Sequence, residues 1–194
     1  LEATAVDTQS LEDDQLVALI LETGQTDLFG ILYDRYANRV YRKCLSVVKE
    51  SNTAQDLVHD ILVKVFVNLP KFQGKSKFGS WVYAITYNQC MDYLRNQQRF
   101  RMSEFDVEND PRGGVEDDEV SYREMVGIKS HQLEGLMEEM PEIDRMVLLM
   151  KYQDDMSVAD IEEALGIGGS AVKMRLKRAR ERLLELYQAR YPDG

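Results

Sequence analysis

Residues 157–184 read SVADIEEALGIGGSAVKMRLKRARERLL. An acidic helix, a glycine turn and a helix loaded with Lys and Arg follow one another. That is the layout of a helix-turn-helix, in which the first helix braces the second and the second enters the major groove of DNA. Ser157 stands at an N-cap position and Asp160 three residues later, the spacing of a capping box. Ile161 and Leu165, four apart, share one face. Gly166, Gly168 and Gly169 supply the turn, and Ser170 is placed to cap the second helix.

The second helix sorts its side chains by face. At about 100° per residue, Val172, Leu176, Ala179 and Leu183 form one apolar stripe. Met174, Lys177 and Glu181 point the opposite way, with Lys173 and Arg178 on the shoulders. Arg175, Arg180 and Arg182 lie on the flanks, at the height of phosphates. A merely solvated face mixes its charges, whereas residues 173–182 carry six basic side chains and one acidic. The pattern favours a surface that meets a polyanion.

At 194 residues the chain holds one medium domain or two small ones. It has no run of 18 uncharged apolar residues, so no membrane insertion is expected. The first ten residues lack Lys and Arg, so no signal peptide is expected. Cys44 and Cys90 are isolated, which suits reduced thiols in a cytoplasmic protein. His59 and His131 have no ligand set around them, so no metal or cofactor is implied. No Ser/His/Asp or Cys/His set, phosphate loop or paired-carboxylate cleft is visible, and an enzyme is not indicated. Asp13-Asp14, Asp117-Asp118 and Asp154-Asp155 read as solvated turns.

The net charge of −10 looks wrong for a DNA-binding protein until it is resolved along the chain. Residues 1–30 carry seven acidic groups and no basic ones, and residues 102–144 carry fourteen acidic and three basic. Residues 61–101 carry seven basic and one acidic. Positive charge is therefore concentrated in 61–101 and again in 173–182, where a polyanion would be held. The acidic segments repel bulk DNA and limit nonspecific binding.

Helical periodicity predominates, with helices expected at about 11–22, 26–49, 53–69, 79–98, 122–139, 142–152, 157–165 and 169–188. The charged stretch around Pro111, Gly113 and Gly114 breaks it. The fold class is all-α: two small helical domains joined by a flexible acidic linker, the second containing the helix-turn-helix. The divisions fall at a 1–10 tail, a first domain over 11–100, a linker over 101–121 and a second domain over 122–190.

The first domain has its own basic segment, KFQGKSKFGSWVYAITYNQCMDYLRNQQRFR at 71–101. A loop bearing Lys71, Lys75 and Lys77 leads into a helix with Trp81, Tyr83, Tyr87 and Tyr93, then Arg95, Arg99 and Arg101. Rings interleaved with cations suit single-stranded nucleic acid, since bases stack on rings and cations track phosphates. Tyr83, Tyr87, Cys90 and Leu94 form one stripe, read as core. Trp81, Ile85, Asn88, Asp92 and Arg95 form the opposite one, where Asn88 and Arg95 are the better functional candidates. A third stretch, 56–67, is apolar nearly all round: Leu57, Ile61 and Val65 on one side, Leu62, Phe66 and Leu69 toward the other. Such a helix is either fully buried or covered by a partner, and in so small a domain one side is read as an interface.

Taken together, DLVHDILVKVF (56–66), FQGKSKFGSWVYAITYNQCMDYLR (72–95), MPEIDRMVLLMKYQDDMSVADIEEALGI (140–167) and AVKMRLKRARERL (171–183) resemble the extracytoplasmic-function sigma factors of bacterial RNA polymerase. The resemblance implies a transcription initiation factor that binds core polymerase, directs it to promoters and assists melting. It implies that the 56–66 helix grips the coiled coil of the largest subunit through Asp56, His59, Asp60 and Lys64, and that the polymerase flap is a further partner of the protein. Lys75, Lys77, Trp81, Asn88 and Arg95 then meet the −10 element, the 72–80 loop pocketing a flipped base. Ser170, Lys173, Met174, Arg175, Lys177, Arg178 and Arg182 meet the −35 element. Promoter DNA and an anti-sigma factor are the other implied partners. The competing reading is a helix-turn-helix regulator acting without core polymerase, which explains 157–184 but not 71–101.

Overall fold

The computed structural model describes residues 8–101, 128 and 130–192, and it divides into two compact units at Arg101/Met102. Among the described residues every regular element is helical, as the periodicity implies. No described helix is long and apolar enough to cross a membrane. Residues 102–121 of the expected acidic linker and the first residues of the helix expected from 122 lie outside the described residues. So do Asp117-Asp118 and most of the 1–10 tail.

In the first unit, α1 (Asp13–Thr23) is followed by a 3₁₀ turn (Thr26–Leu28) and then by α2 (Phe29–Val48), α3 (Ser51–Asn68) and α4 (Phe78–Arg101). α2, α3 and α4 pack on one another, and α1 lies against α2 and α4. Leu32, Tyr36, Val40 and Cys44, each four residues on, run down the inside of α2. They meet Leu57, Ile61 and Val65 of α3, Val82 and Cys90 of α4, and Leu16 and Ile20 of α1. α3 starts two residues earlier than the periodicity predicts. The Glu50 carboxylate caps it, accepting from the N–H groups of Asn52 (2.9 Å) and Thr53 (2.6 Å). The Thr53 hydrogen bonds hold that carboxyl below its ordinary pKa.

The stripe expected to be core on α4 is only partly so. Tyr87 and Cys90 are fully buried, but Tyr83 and Leu94 sit half-buried at its edge, and Val82 and Thr86 take the middle. α4 faces both α2 and α3, so its buried arc is wider than one stripe. The Thr86 hydroxyl satisfies itself by donating to the Val82 carbonyl (2.9 Å). Cys44 and Cys90 are free and buried, their sulfurs 3.9 Å apart, far beyond a disulfide bond. The contact with Cys44 and burial push the Cys90 thiol up, so it holds no thiolate at neutral pH.

Asp13 and Asp14 open a helix where a solvated turn is expected, and of the two only Asp14 stays exposed. Both are engaged: Asp13 by Arg35 and Tyr36, Asp14 by the backbone of Phe78.

In the second unit, α5 (Ser130–Glu139), α6 (Glu142–Leu148), α7 (Val158–Leu165) and α8 (Gly169–Arg190) follow in order. α8 is the axis against which the other three pack. Met140, Met146, Met150 and Met156 are buried and fill an irregular core around Leu136, Ile161 and Leu183. The helix expected over 142–152 does not run straight through. After Leu148 it widens into a π turn, Leu149–Gln153, which closes with the Asp154 N–H on the Leu149 carbonyl (3.0 Å). Asp155 then takes φ of 51°, and Met156 turns into the core. Asp154-Asp155 is thus the turn it was read as.

The helix-turn-helix caps fall in part where the residues place them. Ser157 Oγ accepts from the Asp160 N–H (3.1 Å), and the Asp160 carboxylate accepts from the Ser157 N–H (2.8 Å). Gly166 ends α7 at φ of 65°, which a side chain would strain. The second cap differs. Gly168 is the N-cap of α8, so Ser170 lies within the first turn, exposed, and does not cap. Removing the first cap has a defined cost: Ser157→Ala should destabilise the protein by about 1 kcal/mol, read as a shifted urea midpoint at unchanged slope. An unchanged midpoint would show that the box contributes nothing.

Candidate nucleic-acid interface

The exposed face of α8 is built on the burial of its opposite side. Val172, Leu176, Ala179 and Leu183 are buried, as their spacing predicts. That leaves Ser170, Lys173, Arg178 and Arg182 exposed and Met174, Arg175 and Lys177 half-buried, with Lys177 at 3.9 Å from Glu181. Two flank arginines are used internally. Arg180, expected beside phosphates, is buried and donates to the Tyr152 hydroxyl (3.0 Å) on the π turn. Arg182 forms an ion pair with Asp144 of α6, although half of its side chain stays exposed. The structure thus keeps Lys173 and Arg178 on the outward face and ties Arg182 back to the domain.

The basic segment of the first unit is arranged differently from its sequence pattern. Lys75 and Lys77 are exposed on the loop between a 3₁₀ turn (Leu69–Lys71) and α4. Asn88, Asp92 and Arg95 line the exposed side of α4, with Arg95 at 3.6 Å from Asp92. The rings, by contrast, are committed to packing. Tyr87 is fully buried, and Trp81 stacks at 5.3 Å on Phe72 and 5.8 Å on Phe78. Tyr83 covers the buried ammonium of Lys43 at 4.2 Å, a cation–π contact. Rings bury the most area per side chain, so a small core recruits them first. The cations stay outside, while the aromatic platform expected from the interleaving is mostly internal; Trp81, half-buried, keeps part of its indole open.

The predicted polar contacts of α3 do share one face. Asp56, Asp60 and Lys64 form one exposed row and His59 begins the next. Lys64 also donates to Gln89 of α4 (3.0 Å), joining this face to the side of α4 that bears Asn88. Three apolar residues complete it: Val63 (48% exposed), Phe66 (38%) and Val67 (65%). Val63 and Val67 continue the His59 row at intervals of four. Neither was picked out from the sequence, although the excess of apolar residues in 56–67 is the signal that marks them. These side chains leave apolar area open among charged neighbours, which is uncommon on a surface that meets only water.

A bundle with an exposed basic loop beside an apolar-polar helix face, together with a separate helix-turn-helix, defines a two-module promoter-binding protein. The family models agree with the geometry. Residues 32–100 match sigma-70 region 2 and residues 130–183 match sigma-70 region 4, together more than half of the chain. The chain is similar to the ECF RNA polymerase sigma factor SigW of Bacillus subtilis (25% identical over 173 residues, 84% of this chain and 90% of that one). It is also similar to SigM of the same organism (29% over 162 residues, 80% and 93%). The ECF RNA polymerase sigma-E factor of Escherichia coli K12 is 28% identical over 176 residues (87% and 91%). In fold it resembles CnrH, solved in complex with the cytosolic domain of CnrY (TM-score 0.59, 21% identity, 94% and 99% covered). The sigma factor RpoE of Bartonella quintana, solved with the anti-sigma factor NepR, is a second match in fold (0.58, 18%, 82% and 96%). The chain belongs to the extracytoplasmic-function sigma factors and is a transcription initiation factor.

Proposed function

We propose that the first unit both grips core RNA polymerase and reads the −10 element, while α8 of the second reads the −35 element. The observation that supports this division is the α3 face. An exposed Val63, Phe66 and Val67 among Asp56, His59, Asp60 and Lys64 suits a protein partner, not DNA. On the neighbouring side, the exposed Lys75, Lys77, Asn88 and Arg95 suit a nucleic acid. Trp81 contributes its open edge and otherwise supports the loop. The roles assigned to α8 follow its exposure. Lys173, Met174, Lys177 and Arg178 address base edges, Lys and Arg donating to guanine O6 and N7 and Met meeting a thymine methyl. Ser170 and Arg175 address phosphates, and Arg182 does so only with the part of its charge that Asp144 leaves available.

Work on cytoplasmic polymerase and control by an anti-sigma factor complete the reading. The flap of polymerase is assigned to the second unit. The relatives matched in sequence are named as polymerase sigma factors, and RpoE of Bartonella quintana was solved with an anti-sigma factor.

The −10 assignment is tested at Asn88. Asn88→Ala on the exposed side of α4 should impair open-complex formation and shift −10 base preference, with −35 binding retained. Permanganate footprints matching wild type on every −10 variant would remove Asn88 from the site. The regulator reading is tested by the same preparation: a protein acting without core polymerase binds its duplex site alone, and this one should not.

A further inference from the structure

α4 begins at Phe78, and the residue before it is Lys77, whose side chain is a donor with no acceptor to offer. A helix start leaves backbone N–H groups without partners, and a local Ser, Thr, Asp or Asn normally accepts from one of them. Here the acceptor comes from 64 residues away: the Phe78 N–H donates to the Asp14 carboxylate (3.1 Å). Asp14 is on α1, and its neighbour Asp13 reaches the same turn by a second route. Asp13 accepts from the Tyr36 hydroxyl (2.5 Å) and from Arg35 Nη1 (2.7 Å). Arg35 is anchored in turn on the carbonyls of Leu11 (2.8 Å) and Gln9 (2.7 Å). The Tyr36 ring packs edge-on against Phe78 at 5.5 Å. Its hydroxyl lies so near Gly79 that a Cβ there would stand 2.9 Å from it. Asp13 and Asp14 therefore converge on the first turn of α4, where the loop with Lys75 and Lys77 ends.

We propose that α1 is a positioning arm for promoter opening. Asp14, as the cap of α4, and Asp13, through Tyr36, fix where the 72–77 loop enters the helix and so set the loop against the −10 bases. Neither residue touches DNA. The charge of Asp14 also offsets the positive end of α4, so the loop lysines are presented beside a helix start whose first N–H already has its acceptor. This inference rests on the assignment of the loop to the −10 element.

The test uses the full chain, alone and with core polymerase. In the free protein, exchange of the Phe78 amide should quicken about tenfold in Asp14→Ala, the order that follows loss of a helix cap. Asp14→Asn, which keeps an oxygen acceptor, should restore most of the protection. In the holoenzyme on a duplex promoter, Asp14→Ala should lower permanganate-detected opening by a similar factor while affinity for core polymerase is unchanged. On a template already unpaired across the −10 element, it should discriminate correct from substituted bases less sharply. A structural defect alone would weaken all those templates equally, and that result would overturn the positioning role. Unchanged exchange at Phe78 would overturn the cap. Lys75→Ala with Lys77→Ala, and Asn88→Ala, separate the two layers. If these variants are defective and Asp14→Ala opens like wild type, the positioning role falls alone. If they too behave as wild type, the −10 assignment falls and the arm with it.

Discussion

Val63→Asp combined with Val67→Asp should lower affinity for core RNA polymerase by about a hundredfold or more. Both side chains stand open on α3, 48% and 65% exposed, beside Asp60 and Lys64. Burying such residues at the centre of an interface is worth about 2 kcal/mol or more where they act as anchors, and a buried unpaired carboxylate adds its own desolvation cost. The free protein should lose little, since surface substitutions away from special features stay within about 0.5 kcal/mol. Asp60→Lys on the same face should act more weakly, and its effect should shrink with added salt. The measurement is a titration of labelled protein with core enzyme, with a urea melt of each variant as the control. Wild-type affinity in the double variant would remove α3 as the polymerase surface, whatever the charge variants do.

The second large effect separates two arginines that are two positions apart. Arg178 is exposed on the outward side of α8, and Arg180 is buried on the Tyr152 hydroxyl. Arg178→Ala should cost about 1–3 kcal/mol of binding to the preferred −35 sequence and relax selection at one base pair. Its unfolding should stay close to wild type. Arg180→Ala should do the reverse. It removes a buried donor and leaves Tyr152 without it, costing about 1–3 kcal/mol of stability. For a unit of this size, each kcal/mol lowers the melting temperature by roughly 4–8 °C. Once folded at low temperature, the Arg180 variant should keep the wild-type order of preference among −35 sequences. If Arg180→Ala changed base preference while Arg178→Ala only melted early, the faces assigned to α8 would be interchanged.

These two arginines show how far the chain could be read without its fold. The helix-turn-helix was legible because its determinants are local. Ser157 and Asp160 make a box across three residues, Gly166 supplies the left-handed ending, and Val172, Leu176, Ala179 and Leu183 repeat on a turn-by-turn spacing. The open face of α3 was legible less well: 56–67 holds more apolar residues than a single buried stripe can use, but Leu62 and Leu69, read on its second side, are buried with the first. Which of them stay outside depended on where α2 and α4 lie, so Val63 and Val67 went unnoticed.

The helical class, the position of the helix-turn-helix and the two concentrations of positive charge are written in the order of the residues. Each is a property of neighbouring residues, set by caps, turns and the 3.6-residue period. Which cations face outward and what the paired acids do depends instead on how the helices pack. The π turn at 149–153 brings Tyr152 to Arg180 and so removes that guanidinium from the exposed face of α8. The rings of α4, interleaved with cations in sequence, turn inward because the core shared by α1 to α4 needs their area. Asp13 and Asp14 look like charges with no partner but water until α1 is laid against α2 and α4, where they meet Arg35, Tyr36 and the Phe78 amide. A hydrogen bond depends on distance and angle, and partners 22, 23 and 64 residues away leave no trace in local periodicity.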